Sequence, residues 1–372
     1  MVELSFFGPG FGECVAINLG ANDWIVVDSC VNPTTGEVAA LSYFSQIGVS
    51  PVDSVKLVIA THWHDDHVRG LGKLYRECSN ATFVCSTALS QKEFNQLVER
   101  NKISRTIVKN GLSEFAEVFD ELCTRMKGKQ PSSIKWAIAD TSLWNNVGCP
   151  SASLWRCTVH SLSPSHTSFT NSQIDIAKLL VSQDPANNVL LPKDINPNHI
   201  SVVLHLQIGD YAILLGSDLE ETGHPGTGWS VIVDSTTKPE SKASIFKIPH
   251  HGSVTAHNED IWNEMLTENP CAVLTPFVNG NVYLPKDTDV ARIATYSDNA
   301  YSTSDRRIGK TAGRTAAVAK TLREMEAVAV VKSANPPMGQ VKVTFNPQVT
   351  PLDAKVELLY GAMPLPKLSR VS

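Results

Sequence analysis

Thr61-His-Trp-His-Asp-Asp-His-Val-Arg-Gly70 follows directly on Val55-Lys-Leu-Val-Ile-Ala60, and the reading of this junction decides the fold. The β-branched apolar run has the composition of a buried strand. Behind it His62, His64, Asp66 and His67 form H-x-H-x-D-H. Imidazole nitrogens and carboxylate oxygens are the ligands of Zn²⁺ and its borderline neighbours. An i, i+2 pair at a strand end projects both imidazoles to one side, and the turn that follows brings Asp66 and His67 to a second position. A polar loop that happens to carry histidines is the plainer account. Three of the chain's eleven histidines within six residues, with an aspartate correctly spaced among them, favour the metal.

A strand running into H-x-H-x-D-H resembles the signature of the metallo-β-lactamase-fold hydrolases. The resemblance implies an α/β fold, a four-layer αββα sandwich, and a pair of divalent ions, but no particular substrate. It places Asp28, at the end of Trp24-Ile-Val-Val-Asp28, as a support for the metal loop. Cys30 stands where the family usually has glycine, and reads as a buried small residue rather than a ligand. One ion would take His62, His64 and a third histidine; the other would take Asp66, His67 and a late histidine; Asp218, after Leu214-Leu-Gly-Ser, would bridge. Ser163-Pro-Ser-His-Thr167 resembles the turn that presents the third histidine, so His166 is preferred, with His160 and His199 as alternatives. In His250-His-Gly-Ser253 the second histidine, His251, better matches the late ligand. His250 is then free to contact substrate or protonate a leaving oxygen, and Asp66 and His250 are the candidate catalytic residues. The expected cofactors are two divalent metal ions, Zn²⁺ first and Mn²⁺ as a substitute. Set roughly 3.5–4 Å apart, such ions supply a bridging hydroxide at neutral pH and clamp both oxygens of a displacement.

A second series is more specific. Asn198-x-x-Ser-Val-Val-Leu, Leu214-Leu-Gly-Ser-Asp218-Leu-Glu, Lys247-Ile-Pro-His-His-Gly-Ser253 and Asn281-Val-Tyr-Leu-Pro285 occur in that order. They resemble the metallo-β-lactamase-like domain of bacterial competence proteins that take up DNA, and related stand-alone hydrolases. The resemblance implies phosphodiester chemistry, with DNA or RNA among the substrates. Ser217 and the helical insertion noted below depart from the usual pattern. A carboxylic ester, thioester or lactone hydrolase on the same centre is the alternative, and a weakly active regulatory component of a larger assembly is another.

The 372 residues suffice for one large domain with insertions. We expect a hydrolase domain over 1–335 and a C-terminal extension over 336–372, packed on it or trailing from it. With 32 basic against 37 acidic residues, no global cationic field draws the chain to nucleic acid or membranes. Nucleic-acid contact would have to come from a local cluster, and Arg306, Arg307, Lys310, Arg314, Lys320 and Arg323 form the best one. Eight scattered cysteines without a C-x-x-C pair suit a reduced, cytoplasmic protein. The N-terminus lacks a signal-peptide pattern, and no apolar run approaches a membrane span. Residues 1–30 read as three strands and 35–48 as an amphipathic helix. Residues 87–128 read as a helical insertion whose Lys127, like the nearby Lys129, is most simply on a solvated face. A hairpin turns at Gly209-Asp210, a helix spans 287–295, and about 170–195 reads as a loop with a short helix.

Overall fold

The structure, a computed structural model, describes residues 1–8, 12–103, 111–128, 133–147, 155–181, 195–279, 282–305 and 338–365. Six strands open the chain: β1 (Val2–Gly8), β2 (Cys14–Asn18), β3 (Trp24–Val27), β4 (Val55–Ala60), β5 (Thr82–Ser86) and β6 (Ile134–Ala137). Six more follow: β7 (Thr141–Asn145), β8 (Cys157–Ser161), β9 (Leu204–Ile208), β10 (Tyr211–Leu215), β11 (Ala243–Lys247) and β12 (Leu266–Leu274). The last six are β13 (Phe277–Asn279), β14 (Val282–Leu284), β15 (Ala300–Ser302), β16 (Gly339–Phe345), β17 (Lys355–Leu359) and β18 (Met363–Pro364). They form two eight-stranded sheets, ordered β17-β16-β1-β2-β3-β4-β5-β6 and β18-β15-β12-β11-β10-β9-β8-β7, plus the separate hairpin β13-β14. The C-terminal stretch extends the first sheet beyond β1 through β16 and β17, and adds β18 to the second.

Side-chain alternation explains the layers. In β4, Leu57 and Ile59 enter the core shared by the two sheets, while Val58 and Ala60 face helices on the outer side. A parallel strand buried on both faces reads as a near-continuous apolar run, which accounts for Leu57–Ala60. In β11, Ile245 points between the sheets and Phe246 packs outward with Trp229 and Ile293. Helices therefore cover both outer faces, and the fold is the expected four-layer αββα sandwich. No described helix is long and apolar enough to cross a membrane.

The strands β3 to β6 run parallel, as do β10, β11, β12 and β15. The loops that carry His62–His67, Asp218 and His250–His251 leave their C-terminal ends, the edge where α/β sheets bind ligands. The insertion supplies two helices, Lys92–Ile103 and Gly111–Lys127. It also clamps the loop Thr61–Gly70. Trp63 stacks on Phe94, centroids 5.1 Å apart at 13°, and buried Glu114 accepts hydrogen bonds from the Gly70 and Gly72 amides at 3.0 and 3.1 Å. Gly111 approaches so closely that a Cβ there would stand 1.8 Å from the Trp63 carbonyl oxygen. The expected loop and short helix near 170–195 is instead a 16-residue helix, His166–Val181, over its described part. A strand at Thr141–Asn145 was not anticipated. The basic cluster Arg306–Arg323 and Lys129 lie outside the described residues.

Candidate metal centre

Four buried loops converge at one edge of the sandwich. The β4 loop carries His62, His64, Asp66 and His67; the β3 end carries Asp28; the β10 end carries Asp218; and the β11 end carries His250 and His251. Asp28, Ser217, His250 and His251 adopt left-handed backbone at φ 60°, 47°, 46° and 55°. Each such non-glycine conformation costs about 1–3 kcal/mol and concentrates where a site demands it.

Two groups of potential ligands share Asp218. Asp66, His67, Asp218 and His251 form one, and His62, His64 and Asp218 the other, with the ligand atoms of each group within 4.8 Å of one another. His251 Nε2 lies 3.2 Å from Asp66 Oδ2 and 3.5 Å from Asp218 Oδ2; His67 Nε2 lies 3.3 Å from Asp218 Oδ2. His62 Nε2 and His64 Nδ1 are 3.0 Å apart. The far nitrogens are already engaged: His67 Nδ1 meets Asp28 Oδ2 at 2.7 Å, and His251 Nδ1 donates to the Thr275 carbonyl at 2.9 Å. Those bonds fix the rings with Nε2 turned inward, as ligand histidines are held. Asp28 also accepts from the Thr61 amide and hydroxyl at 2.8 and 2.9 Å, tying β3 to the metal loop.

Four buried carboxylates, Glu13, Asp28, Asp66 and Asp218, outnumber the buried groups that can carry positive charge beside them, Lys247, His67 and His251. Burial opposes ionisation of Asp218, but the positive fields of His67 and His251 hold its carboxyl well below the ordinary range. Burial, with His67 and His64 nearby, keeps His62 neutral, and burial does the same for His64; their lone pairs are therefore free for coordination. Burial disfavours the charged form of His67 too, yet Asp218, Asp28 and Glu13 raise its pKa well above the usual value. Asp218 Oδ1 and His67 Nε2 are buried without a hydrogen-bond partner. Orphaned inward-facing atoms of this kind, beside an excess of carboxylates, fit divalent cations.

The structure does not bring His166 to this group. The Ser165 hydroxyl accepts from the Ser168 amide at 3.0 Å, a helix N-cap. That cap makes His166 the first residue of the helix His166–Val181 and leaves it exposed in a separate cleft with Asp140 and Lys238. The likeness to a histidine-presenting turn is overridden by helix capping. His160 sits on β8 in register with His205, and His199 is exposed with Nε2 3.9 Å from Glu220 Oε2. Among the described residues, neither joins a ligand group. We therefore expect His166→Ala to leave metal content after dialysis unchanged; loss of an ion would restore His166 as a ligand.

His250 stands at the cleft beside this group. Its Nδ1 lies 2.9 Å from Thr255 Oγ1 and 3.2 Å from Glu220 Oε1, and its Nε2 is 3.4 Å from Asn198 Nδ2. Burial works against the Glu220 charge, but hydrogen bonds from His250, Thr255 and Asn196 bring its pKa down to about 2. Sequence reading gave no role to Glu220, although it ends the quoted Leu214-Leu-Gly-Ser-Asp218-Leu-Glu series, or to Thr255.

Glu13 and Lys247 were also missed as a pair. Lys247 has the parity of Ile245 in β11, and Glu13 that of Val15 in β2, so both point between the sheets. Lys247 Nζ lies 2.9 Å from Glu13 Oε2. The Glu13 amide donates to the Asp66 carbonyl at 2.8 Å, and a Cβ on the preceding Gly12 would stand 1.9 Å from that same oxygen. A lysine inside the apolar run Ala243-Ser-Ile-Phe-Lys was the available signal for a buried partner.

Residues 7–107 match the family model described as the metallo-beta-lactamase superfamily. Among solved structures, the chain is similar to the metallo-beta-lactamase fold protein YhfI from Bacillus subtilis, at 12% identity over 66% of this chain and 69% of that one, with a TM-score of 0.33. It is similar to a metallo-beta-lactamase from Pontibacter korlensis, at 12% identity over 62% and 79%, TM-score 0.28. It is also similar to the flavodiiron protein from Giardia intestinalis, at 16% identity over 56% and 32%, TM-score 0.25. No curated protein matches. The family match supports a metallo-β-lactamase superfamily domain, and it does not single out the competence-protein branch.

Proposed function

We propose that this metallo-β-lactamase-fold chain is a metal-dependent hydrolase of phosphodiester bonds. The observation that carries the reading is the pair of ligand groups sharing Asp218 at one wall of an open cleft. His62, His64 and Asp218 would hold one divalent ion, and Asp66, His67, His251 and Asp218 the other. When bound, two such ions activate water at neutral pH and stabilise charge on both the attacking and leaving oxygens of an in-line displacement. Zn²⁺ suits the imidazole-rich set, with Mn²⁺ as the substitute.

The chain's own residues supply the rest. Asp28 and the Thr275 carbonyl orient His67 and His251, so no ring has to turn when charge arrives. Asp66 closes the second group and keeps the loop tied to Glu13. His250, steadied by Glu220 and Thr255, faces the cleft where a leaving oxygen would need a proton. The resemblance of the Lys247-Ile-Pro-His-His-Gly-Ser253 series to hydrolases of phosphodiesters is what favours phosphorus over an acyl carbon. The nuclease version of the reading rests on the Arg306–Arg323 cluster.

Purified protein loaded with Zn²⁺ or Mn²⁺ should hydrolyse bis(p-nitrophenyl) phosphate faster than p-nitrophenyl acetate or a p-nitrothiophenyl ester, and chelation should abolish the activity. Faster turnover of either acyl substrate would replace the reading with the carboxylic ester or thioester alternative. Metal bound without turnover of any of the three would favour a regulatory component.

A further inference from the structure

The cleft above the ligand groups has a volume of about 670 Å³, within the range of small-ligand sites. One wall is the hairpin β13-β14. Its register pairs Phe277 with Leu284 and Asn279 with Val282, so these four share one face while Val278 and Tyr283 share the other. The first face is the one that lines the cleft, and Lys286, two residues beyond Leu284, lines it as well. Phe277 stacks on the His251 ring, centroids 5.1 Å apart at 24°, which sets the apolar wall directly against the ligand group. Across the cleft stand Trp63, Leu112, Ile195 and Pro197. Val282 is 56% exposed, so its side chain is open to whatever enters the cleft.

We infer, resting on the phosphodiesterase reading, that the substrate is a small phosphodiester with one apolar or aromatic ester arm lying along Phe277, Val282 and Leu284. Charge complementarity sets the orientation. The anionic phosphoryl group goes to the ligand cluster, where buried carboxylates call for cations, and the uncharged arm goes to the wall. Lys286, which has no carboxylate partner among the described residues, stands where a further polar or anionic group on the substrate would emerge. A polynucleotide needs a row of cations along its backbone. Lys286 is the single lysine or arginine among the described residues that line the cleft.

The test uses the metal-loaded full chain and a series of alkyl p-nitrophenyl phosphates from methyl to butyl, with the phenyl ester alongside. kcat/KM should rise along the series by up to about fourfold per added methylene, the value of one buried methylene. Val282→Ser, at an exposed position that folding tolerates, should flatten the series, and adding Leu284→Ser should flatten it further. Val278→Ser, on the opposite face, should leave it unchanged. Binding gives a second readout: phenylphosphonate should inhibit and bind calorimetrically more tightly than methylphosphonate, and Val282→Ser with Leu284→Ser should remove the difference. Equal kcat/KM across the series, equal phosphonate affinities, or an oligonucleotide cleaved faster than the butyl ester would overturn the inference and leave the phosphodiesterase reading standing. Turnover of none of these esters would overturn both.

Discussion

Asp218→Ala is expected to lose turnover to background and to retain at most one loosely held ion per chain. Asp218 belongs to both ligand groups, so its removal takes a donor from each at once. Supporting residues around a metal are worth about 10–100-fold in affinity, and a shared direct ligand should cost more. The loop itself should survive. The Leu219 amide reaches the Gly216 carbonyl, and the His250 amide donates to the Ser217 carbonyl at 2.9 Å; neither bond uses the Asp218 side chain. Metal content after dialysis, read beside far-UV circular dichroism, separates loss of metal from loss of fold. Two tightly bound ions in the variant would remove Asp218 from the centre.

Lys247→Met should destabilise the metal-free protein by about 3–5 kcal/mol, the usual result of stripping one partner from a buried ion pair. Lys247 and Glu13 are 2% and 3% exposed, so Glu13 could not turn to water. His67 Nδ1 and His251 Nδ1 also lie near Glu13, at 3.8 and 3.7 Å, but each is already engaged, by Asp28 Oδ2 and by the Thr275 carbonyl. Pairing Lys247→Met with Glu13→Gln should recover most of the loss, because the uncompensated charge is then gone. Urea denaturation of the single and double variants measures this. A single variant within about 0.5 kcal/mol of the parent, the range of ordinary surface substitutions, would show that the pair carries no structural weight.

The sandwich and the loops carrying the candidate ligands were legible because their signals are local: a strand buried on both faces reads as a nearly continuous apolar run, and candidate ligands that share a loop keep a fixed spacing. Val55–Ala60 followed by H-x-H-x-D-H, and Leu214–Asp218, were legible for that reason. His166 was misread because a short turn likeness competes with helix capping, and only the fold shows that Ser165 caps the helix. The remaining contacts appear only once the chain is folded. Glu13 meets Lys247, Glu114 caps the metal loop, Glu220 steadies His250, and Phe277 stacks on His251 across long stretches of chain. Such pairs arise where separate strands end at the same edge, and nothing in the neighbouring sequence of either partner specifies the other.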